Sequence, residues 1–296
     1  MDGNVSDLTP EQLNKILQGI SIPPQPQIMV DLQMEQVMPD PDLDRIAELI
    51  SQDVGLSGTM LKVVNSPFYG LTNKITSVRQ AVGILGMDSV VNIVNGISIR
   101  SSMSDEAIKA LTRFWDTAMD IAMTAATIAK QVGYPYPDNA YALGLFHNVG
   151  VPLLMKQHAN YLEVMEESYS GNYQRIIDFE NQQLNTNHAV VGYYTAKSWH
   201  LPKMLCDIIA EHHSCSRIFG ADKNEENDQN TLTAILKMAE HICGVYKILG
   251  MQDEDHEWEE IGSMVLAYLG LSDYDLEAFK ESFAEMGISP ANYGLT

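Results

Sequence analysis

The chain has 296 residues, 45% of them apolar and 19% charged, a composition that excludes global disorder and fits one large domain or two closely packed ones. Acidic residues outnumber basic ones by 39 to 18, and the net charge of −21 gives a surface that repels phosphate backbones and anionic membranes. Direct nucleic-acid binding is therefore not expected, since it depends on Lys and Arg, and no stretch is apolar for long enough to cross a membrane.

Cysteine usage and the N-terminal residues indicate the compartment. Cys206, Cys215 and Cys243 form no CxxC pair, and such a low, odd number fits a reducing environment. The first residues show no basic region that leads into an apolar stretch, so no signal peptide is expected. The sequence therefore predicts a cytoplasmic protein.

Apolar periodicity predicts helices along most of the chain. The first is a leading helix over residues 8–20, with Thr9 as its N-cap and Pro10 as its first residue, and a proline-rich extended segment follows at 22–26. Residues 67–76 are predicted to form a loop, since they include Gly70 and Asn73. The other helices are expected at residues 40–50, 54–64, 77–86, 88–102, 114–132, 139–157 (an apolar stretch interrupted by Gly150 and Pro152), 173–184, 187–199, 201–215, 231–249, 258–269 and 275–286.

The fold class predicted from this pattern is all-α. No series of alternating strands and no repeat of fixed period interrupts the helices. A break near Asp105-Glu106 divides them into two lobes, and a polar linker at residues 222–229 precedes the last helices. The sequence therefore predicts a multi-helical bundle preceded by an N-terminal helical lobe.

Histidines on three segments of the second half are the candidates for chemistry. His147-Asn148 follows an apolar stretch, His188 opens a predicted helix, and His212-His213 close another. Imidazole is a common metal ligand, and histidines on several helices can converge in a bundle core. Each also has a structural interpretation, because a histidine can pack at a helix start, or lie at a helix C-terminus where the dipole favours it.

Several segments resemble the sequence patterns of the HDOD family, a subfamily of the HD metal-dependent phosphohydrolase superfamily. The resemblance covers most of residues 22–215. It implies a leading helix over 1–21, an N-terminal lobe over 22–110, a degenerate HD-like lobe over 111–220 and C-terminal helices over 221–296 that complete the second lobe. The matching segments are Ile22-Pro23-Pro24-Gln25-Pro26 (Leu-Pro-x-x-Pro), residues 50–57 (Ile-x-x-Asp-Pro-x-Leu-Ser), residues 64–70 (Ala-Asn-Ser-x-x-Tyr-Gly), residues 75–86 (Ile-x-Ser-Ile-x-x-Ala-Ile-x-x-Leu-Gly) and Phe114-Trp115 (Leu-Trp).

The chain departs from the pattern of an active HD centre, which is His…His-Asp…His…His-His…Asp. The resemblance places the first ligand histidine at Thr117, the bridging aspartate at Asn148 and the last aspartate at Glu240. An amide oxygen binds a divalent cation much more poorly than a carboxylate does. The resemblance thus implies a vestigial centre at Thr117, His147, Asn148, His188, His212, His213 and Glu240.

The resemblance favours a non-catalytic bacterial signalling module. We expect it to bind an unknown protein partner or a small ligand and to need no cofactor. The alternative is a phosphohydrolase acting on a nucleotide or cyclic dinucleotide, with one divalent ion on the four histidines and Lys156 near the substrate. A third interpretation is an acidic mimic that sequesters a basic partner through the acidic run at residues 253–260. A solvated helix start explains that run more simply, because acidic residues favour helix N-termini.

The loop that contains Asn65, Phe68 and Tyr69 is the candidate partner-binding surface. Aromatic side chains on a loop can anchor a partner. They can equally hold the loop against its own helices. The sequence leaves both roles open.

Overall fold

The computed structural model describes residues 17, 19–20, 27–101, 112–219 and 227–290. Within those ranges the chain consists of helices joined by turns, and no β-strand occurs, so the all-α prediction is confirmed. Most of the predicted leading helix, the segment at 22–26, the break near Asp105-Glu106 and most of the polar linker lie outside the described residues. None of the described helices has an apolar span long enough to cross a bilayer.

The helices of the first lobe surround a small core of aliphatic side chains. They are α1 (Gln27–Gln36), α2 (Leu43–Ser51), α3 (Val54–Val64) and α4 (Val78–Ser101). Asp42 and Asp53 cap α2 and α3, because their carboxylates accept hydrogen bonds from first-turn amides. Helix α1 is absent from the predictions, since its apolar residues are spread around the helix instead of forming one stripe, and only Met29 and Leu32 are buried.

Helix α4 bends at Gly86, where the sequence predicts one helix to end and another to begin near Asp88. Gly86 has a φ of 76° and a ψ of 170°, which is outside helical geometry. Glycine adopts positive φ without the steric cost that a Cβ imposes. The predicted break is therefore confirmed.

The second lobe is a longer series of helices that agrees with most of the predicted positions. The predicted helix at 139–157 is two helices separated by a turn at 147–149, and Gly244, with a φ of 71°, similarly divides the one at 231–249. Helix α8 is absent from the predictions. The helices are α5 (Thr112–Gln131), α6 (Pro137–Phe146), α7 (Gly150–Gln157), α8 (Tyr161–Ser168), α9 (Ile176–Leu184), α10 (His188–Ser198), α11 (Lys203–Glu211), α12 (Cys215–Phe219), α13 (Asp228–Cys243), α14 (Val245–Ile248), α15 (His256–Leu269) and α16 (Asp273–Glu285).

Close packing in the second lobe brings the ends of several helices together in the interior. Helix α5 packs along α6 and α13, α10 packs on α7 and α11, and α11 contacts both α6 and α13. A Cβ at Gly144 would lie 2.7 Å from the Cα of Ala122, so only glycine lets α5 and α6 approach this closely. The ends of α6, α10 and α11 therefore meet in the interior.

Polar contacts connect the two lobes. Helix α4 packs on α6, and the Ser89 hydroxyl donates a hydrogen bond to Asp138 over 2.6 Å. The Gln33 amide donates to the Trp199 carbonyl over 3.3 Å. The first lobe thus lies directly against the helices that form the meeting point.

Candidate functional site

Two glycines allow the histidine-bearing helices to touch. A Cβ at Gly150 would lie 2.1 Å from the carbonyl oxygen of His188, and one at Gly192 would lie 3.1 Å from Cγ2 of Ile209. A Cβ closer than a normal contact would force the backbones apart. Gly150 and Gly192 therefore allow α7, α10 and α11 to pack closely together.

The four predicted histidines form one buried cluster. His147, His188, His212 and His213 are each no more than 3% exposed. Nε2 of His188 lies 3.0 Å from Nε2 of His213, and the rings of His212 and His213 are 4.1 Å apart. One ring nitrogen from each of His188, His212 and His213 lies within 4.8 Å of the others. The structure thus brings together the residues that the sequence places on three separate segments.

Backbone carbonyls fix the orientation of two of these rings. Nδ1 of His147 lies 2.8 Å from the Gly144 carbonyl, and Nδ1 of His212 lies 2.8 Å from the Ile209 carbonyl. A carbonyl oxygen only accepts, so Nδ1 carries the proton and donates in each case. Burial holds the pKa of His212 well below its usual value, so this ring is neutral, and its lone pair lies on Nε2, which is buried without a hydrogen-bond partner.

A buried carboxylate orients His188. Glu180 on α9 is fully buried, and its Oε2 lies 2.6 Å from Nδ1 of His188. The Tyr161 hydroxyl donates to its other oxygen. A carboxylate behind an imidazole fixes the tautomer and makes the opposite nitrogen a better ligand or acceptor. Neither Glu180 nor Tyr161 is among the predicted site residues.

His213 connects His188 with the charged side of the cluster. Burial, with the nearby Lys237 ammonium, holds the pKa of His213 well below its usual value, so the ring is neutral. Nε2 of His213 lies 3.0 Å from Nε2 of His188, and Nδ1 lies 2.8 Å from Oε1 of Glu257 and 3.3 Å from Nζ of Lys237. Burial, partly offset by Lys237, raises the pKa of Glu257.

A buried lysine lies at the centre of this charged side. Lys237 on α13 is 2% exposed, and its Nζ lies 2.8 Å from Glu240 and 2.9 Å from Glu257. Burial alone lowers the pKa of Lys237, but the two carboxylates outweigh it and raise the pKa above the usual value. Burial likewise works against ionisation of Glu240, yet Lys237 and His147 hold its pKa well below the usual range. Lys237 and Glu240 therefore form an ion pair in the protein interior.

The remaining predicted positions, Thr117 and Asn148, border the same cluster. Both are buried, and with His147 they line a narrow crevice that is also bordered by Val245. The Asn148 side-chain oxygen has no hydrogen-bond partner, whereas Nε2 of His147 lies 3.2 Å from Oε1 of Glu240. All seven positions that the HD resemblance indicates therefore lie at or beside one site.

A second crevice lies beside the cluster. Lys237 and Glu240 line it together with His241 and Trp258, whose rings are stacked with centroids 4.4 Å apart at 10°. Nδ1 of His241 lies 2.8 Å from Asp255, which also caps α15. Each of the two crevices has room for about one water molecule.

Other predicted candidates lie away from the cluster. Lys156 is exposed in the last turn of α7 and lines neither crevice. In the loop, the Asn65 amide bonds to the backbone of Ile75 at 2.7 Å, and Nζ of Lys130 lies 3.6 Å from the ring centre of Phe68. Burial raises the pKa of Tyr69. These contacts hold the loop to its own helices, and its role in partner binding remains a prediction.

The donor set fits one divalent ion better than two. His188, His212 and His213 offer three imidazole nitrogens, which suit zinc and similar ions. A pair of hard cations needs a bridging carboxylate, and Asn148 offers only a neutral oxygen. Glu240 is already ion-paired with Lys237. The half of the centre around Thr117 and Asn148 therefore does not fit a metal.

Sequence comparison places these observations in a family. The HDOD domain model matches residues 22–215. An uncharacterised protein of Treponema pallidum (strain Nichols) is 27% identical over 197 residues, which is 65% of this chain and 38% of that protein. Cyclic di-GMP phosphodiesterase CdgJ of Vibrio cholerae is 26% identical over 133 residues, which is 45% of this chain and 30% of CdgJ. The chain thus spans less than half the length of the curated relatives it matches.

Solved structures share the fold. The chain is similar to an HDOD domain protein from Geobacter sulfurreducens, with a TM-score of 0.65 at 23% identity, over 96% of this chain and 97% of that one. A Shewanella amazonensis protein gives a TM-score of 0.64 at 20% identity, over 94% and 96% of the two chains. These similarities concern the fold. Because the HDOD model covers more than half of the sequence, the chain belongs to the HDOD domain family.

Proposed function

We propose that the chain is a non-catalytic, cytoplasmic module of bacterial signal transduction that acts by binding a protein partner or a small ligand. The observation that carries the proposal is the Lys237–Glu240 ion pair at 2.8 Å. Glu240 is the one acidic residue among the seven HD positions, and its negative charge is already neutralised by the ammonium group of Lys237. With Asn148 neutral, that half of the centre lacks the charge that would generate a bound hydroxide.

The surface charge supports the same proposal. An anionic substrate would approach a chain of net charge −21 against its field. The crevices beside the cluster have room for about one water molecule each, far less than a nucleotide needs. A nucleotide would therefore require the helices around the cluster to separate.

The second candidate is a hydrolase with a single metal ion. One observation favours it, namely the convergence of ring nitrogens from His188, His212 and His213 within 4.8 Å. The partial match to CdgJ makes cyclic di-GMP the first substrate to test for this candidate.

The test is turnover by the purified chain. We expect no hydrolysis of bis-p-nitrophenyl phosphate or cyclic di-GMP above buffer, with added manganese, iron or nickel. The matched comparison is the double variant Thr117→His, Asn148→Asp, which restores two of the three residue types in which the chain departs from an active HD centre. Metal-dependent turnover by the unaltered chain that disappears in His147→Ala would contradict the proposal and favour the second candidate.

A further inference from the structure

Lys237 differs from the other basic residues of the chain. It is the only lysine or arginine that is buried among the residues whose burial the structure describes. Lysine is almost never fully buried unless it is paired, because moving an ammonium out of water is costly. Its position in the core therefore needs a specific compensating environment.

Two buried carboxylates and an imidazole surround the ammonium group. Nζ of Lys237 lies 2.8 Å from Glu240, 2.9 Å from Glu257 and 3.3 Å from Nδ1 of His213. These carboxylate and imidazole groups are also ligand types that a divalent cation would use. The ammonium is thus held by groups that are suited to a metal ion.

We infer that the Lys237 ammonium is the resident cation of this centre. It takes the place of a divalent ion beside Glu240 and keeps the metal affinity of His188, His212 and His213 low. Two effects act together: the ammonium repels a second cation across a poorly screened interior, and it occupies the carboxylates that would otherwise neutralise that cation. This inference rests on the proposed function, since a centre held by lysine cannot carry the two-ion chemistry.

The inference predicts that removing one positive charge opens a metal site. In Lys237→Met most of the side-chain length is kept and the charge is lost, so Glu240 and Glu257 become available as ligands or counter-charges. We expect this variant, as the full chain freed of metal by chelation, to bind one Zn²⁺ at least about tenfold more tightly than the unaltered protein. The measurement is titration of Zn²⁺ against a chromophoric competitor at neutral pH.

Three further variants make the result specific. Lys237→Arg keeps the charge and should bind Zn²⁺ as weakly as the unaltered chain. Lys237→Met combined with His212→Ala should lose the gained affinity, because one of the three imidazoles is gone. Loss of a buried charge can unfold the protein, so Lys237→Gln is measured as well, with circular dichroism to verify folding. Zn²⁺ should also raise the melting temperature of the uncharged variants more than that of the unaltered chain.

The outcomes separate this inference from the proposed function. One equivalent of Zn²⁺ bound by the unaltered chain as tightly as by folded Lys237→Met or Lys237→Gln overturns the inference, whether or not hydrolysis occurs. No gain in affinity in either folded variant overturns it too. If the unaltered chain hydrolyses a substrate while Lys237→Met still binds Zn²⁺ at least tenfold more tightly, the proposed function fails and the role of Lys237 in limiting metal affinity stands.

Discussion

At the scale of single residues, buried ionisable side chains determine the orientation and charge of the groups in the centre. Glu180 is oriented by Tyr161 and in turn orients His188, while the Lys237 ammonium is paired with Glu240 and Glu257. Breaking one side of a buried charge pair typically costs about 3–5 kcal/mol, because the other charge stays in the interior. Substitution at these positions therefore affects folding as well as the site.

Acid should destabilise the protein through its buried histidines. Burial is the main reason that the pKa values of His212 and His213 lie well below 6.5. Below about pH 6.5 the unfolded chain binds protons at these positions that the folded protein does not, so stability falls as the pH falls, by up to about 1.4 kcal/mol per pH unit for each histidine. Urea unfolding of chelator-treated protein between about pH 7.5 and pH 5 measures this slope.

The control for this pH dependence is His212→Gln, which removes one of the two titrating groups. We expect a shallower slope in this variant over the same pH interval. A free energy of unfolding that stays constant in the unaltered protein would show that the two imidazoles are protonated in the fold as readily as in water.

At the scale of the element, glycines decide how closely the helices pack. Gly150→Ala puts a Cβ 2.1 Å from the His188 carbonyl oxygen, a backbone atom that cannot rotate away. We expect the free energy of unfolding to drop by about 1–3 kcal/mol or more.

The matched control is Gly83→Ala, at an exposed position in the first half of α4 where a Cβ meets open space. That variant should gain about 0.5–1 kcal/mol, since glycine is unfavourable inside a helix. Equal stability of the two variants in urea unfolding would contradict the close packing of α7 on α10.

Most element positions could be predicted from the sequence, because caps and glycines mark them locally. The break at Gly86 and the helix at 54–64 are examples. Helix α1 could not be predicted, since its apolar residues are spread around the helix and mark no single buried face. In the site, the histidines can be identified from the sequence alone. Glu257 cannot, because it is one of several acids in an acidic run and it reaches Lys237 only through the packing of α15 against α13.

Weaker local signals did exist for the other missed residues. Glu180 lies on the buried stripe of α9 with Ile176, Ile177 and Leu184, where an acid is out of place unless it has a partner. Lys237 interrupts the apolar face of α13 three residues before Glu240. A charged residue on an apolar helix face thus indicates a buried pair, but only the tertiary fold identifies the partner.

At the scale of the whole molecule, the excess of acidic residues opposes compaction. A net charge of −21 repels itself in the folded state more than in the expanded chain. We therefore expect the melting temperature to rise by several degrees as NaCl increases from low to moderate concentration, since salt screens exposed charges. An uncharged co-solute of equal osmolality is the control. A melting temperature that falls with salt would indicate that exposed ion pairs outweigh the repulsion.

The face-to-face stack of Trp258 on His241 gives the second crevice an optical property. Indole emission depends on the ring packed against it and on local polarity, and Trp258 lines the crevice that leads to Lys237 and Glu240. A molecule or ion that entered there would displace or polarise the stacked pair. The protein thus carries an intrinsic fluorophore at the entrance to its own buried centre, where occupancy can be followed without an added label.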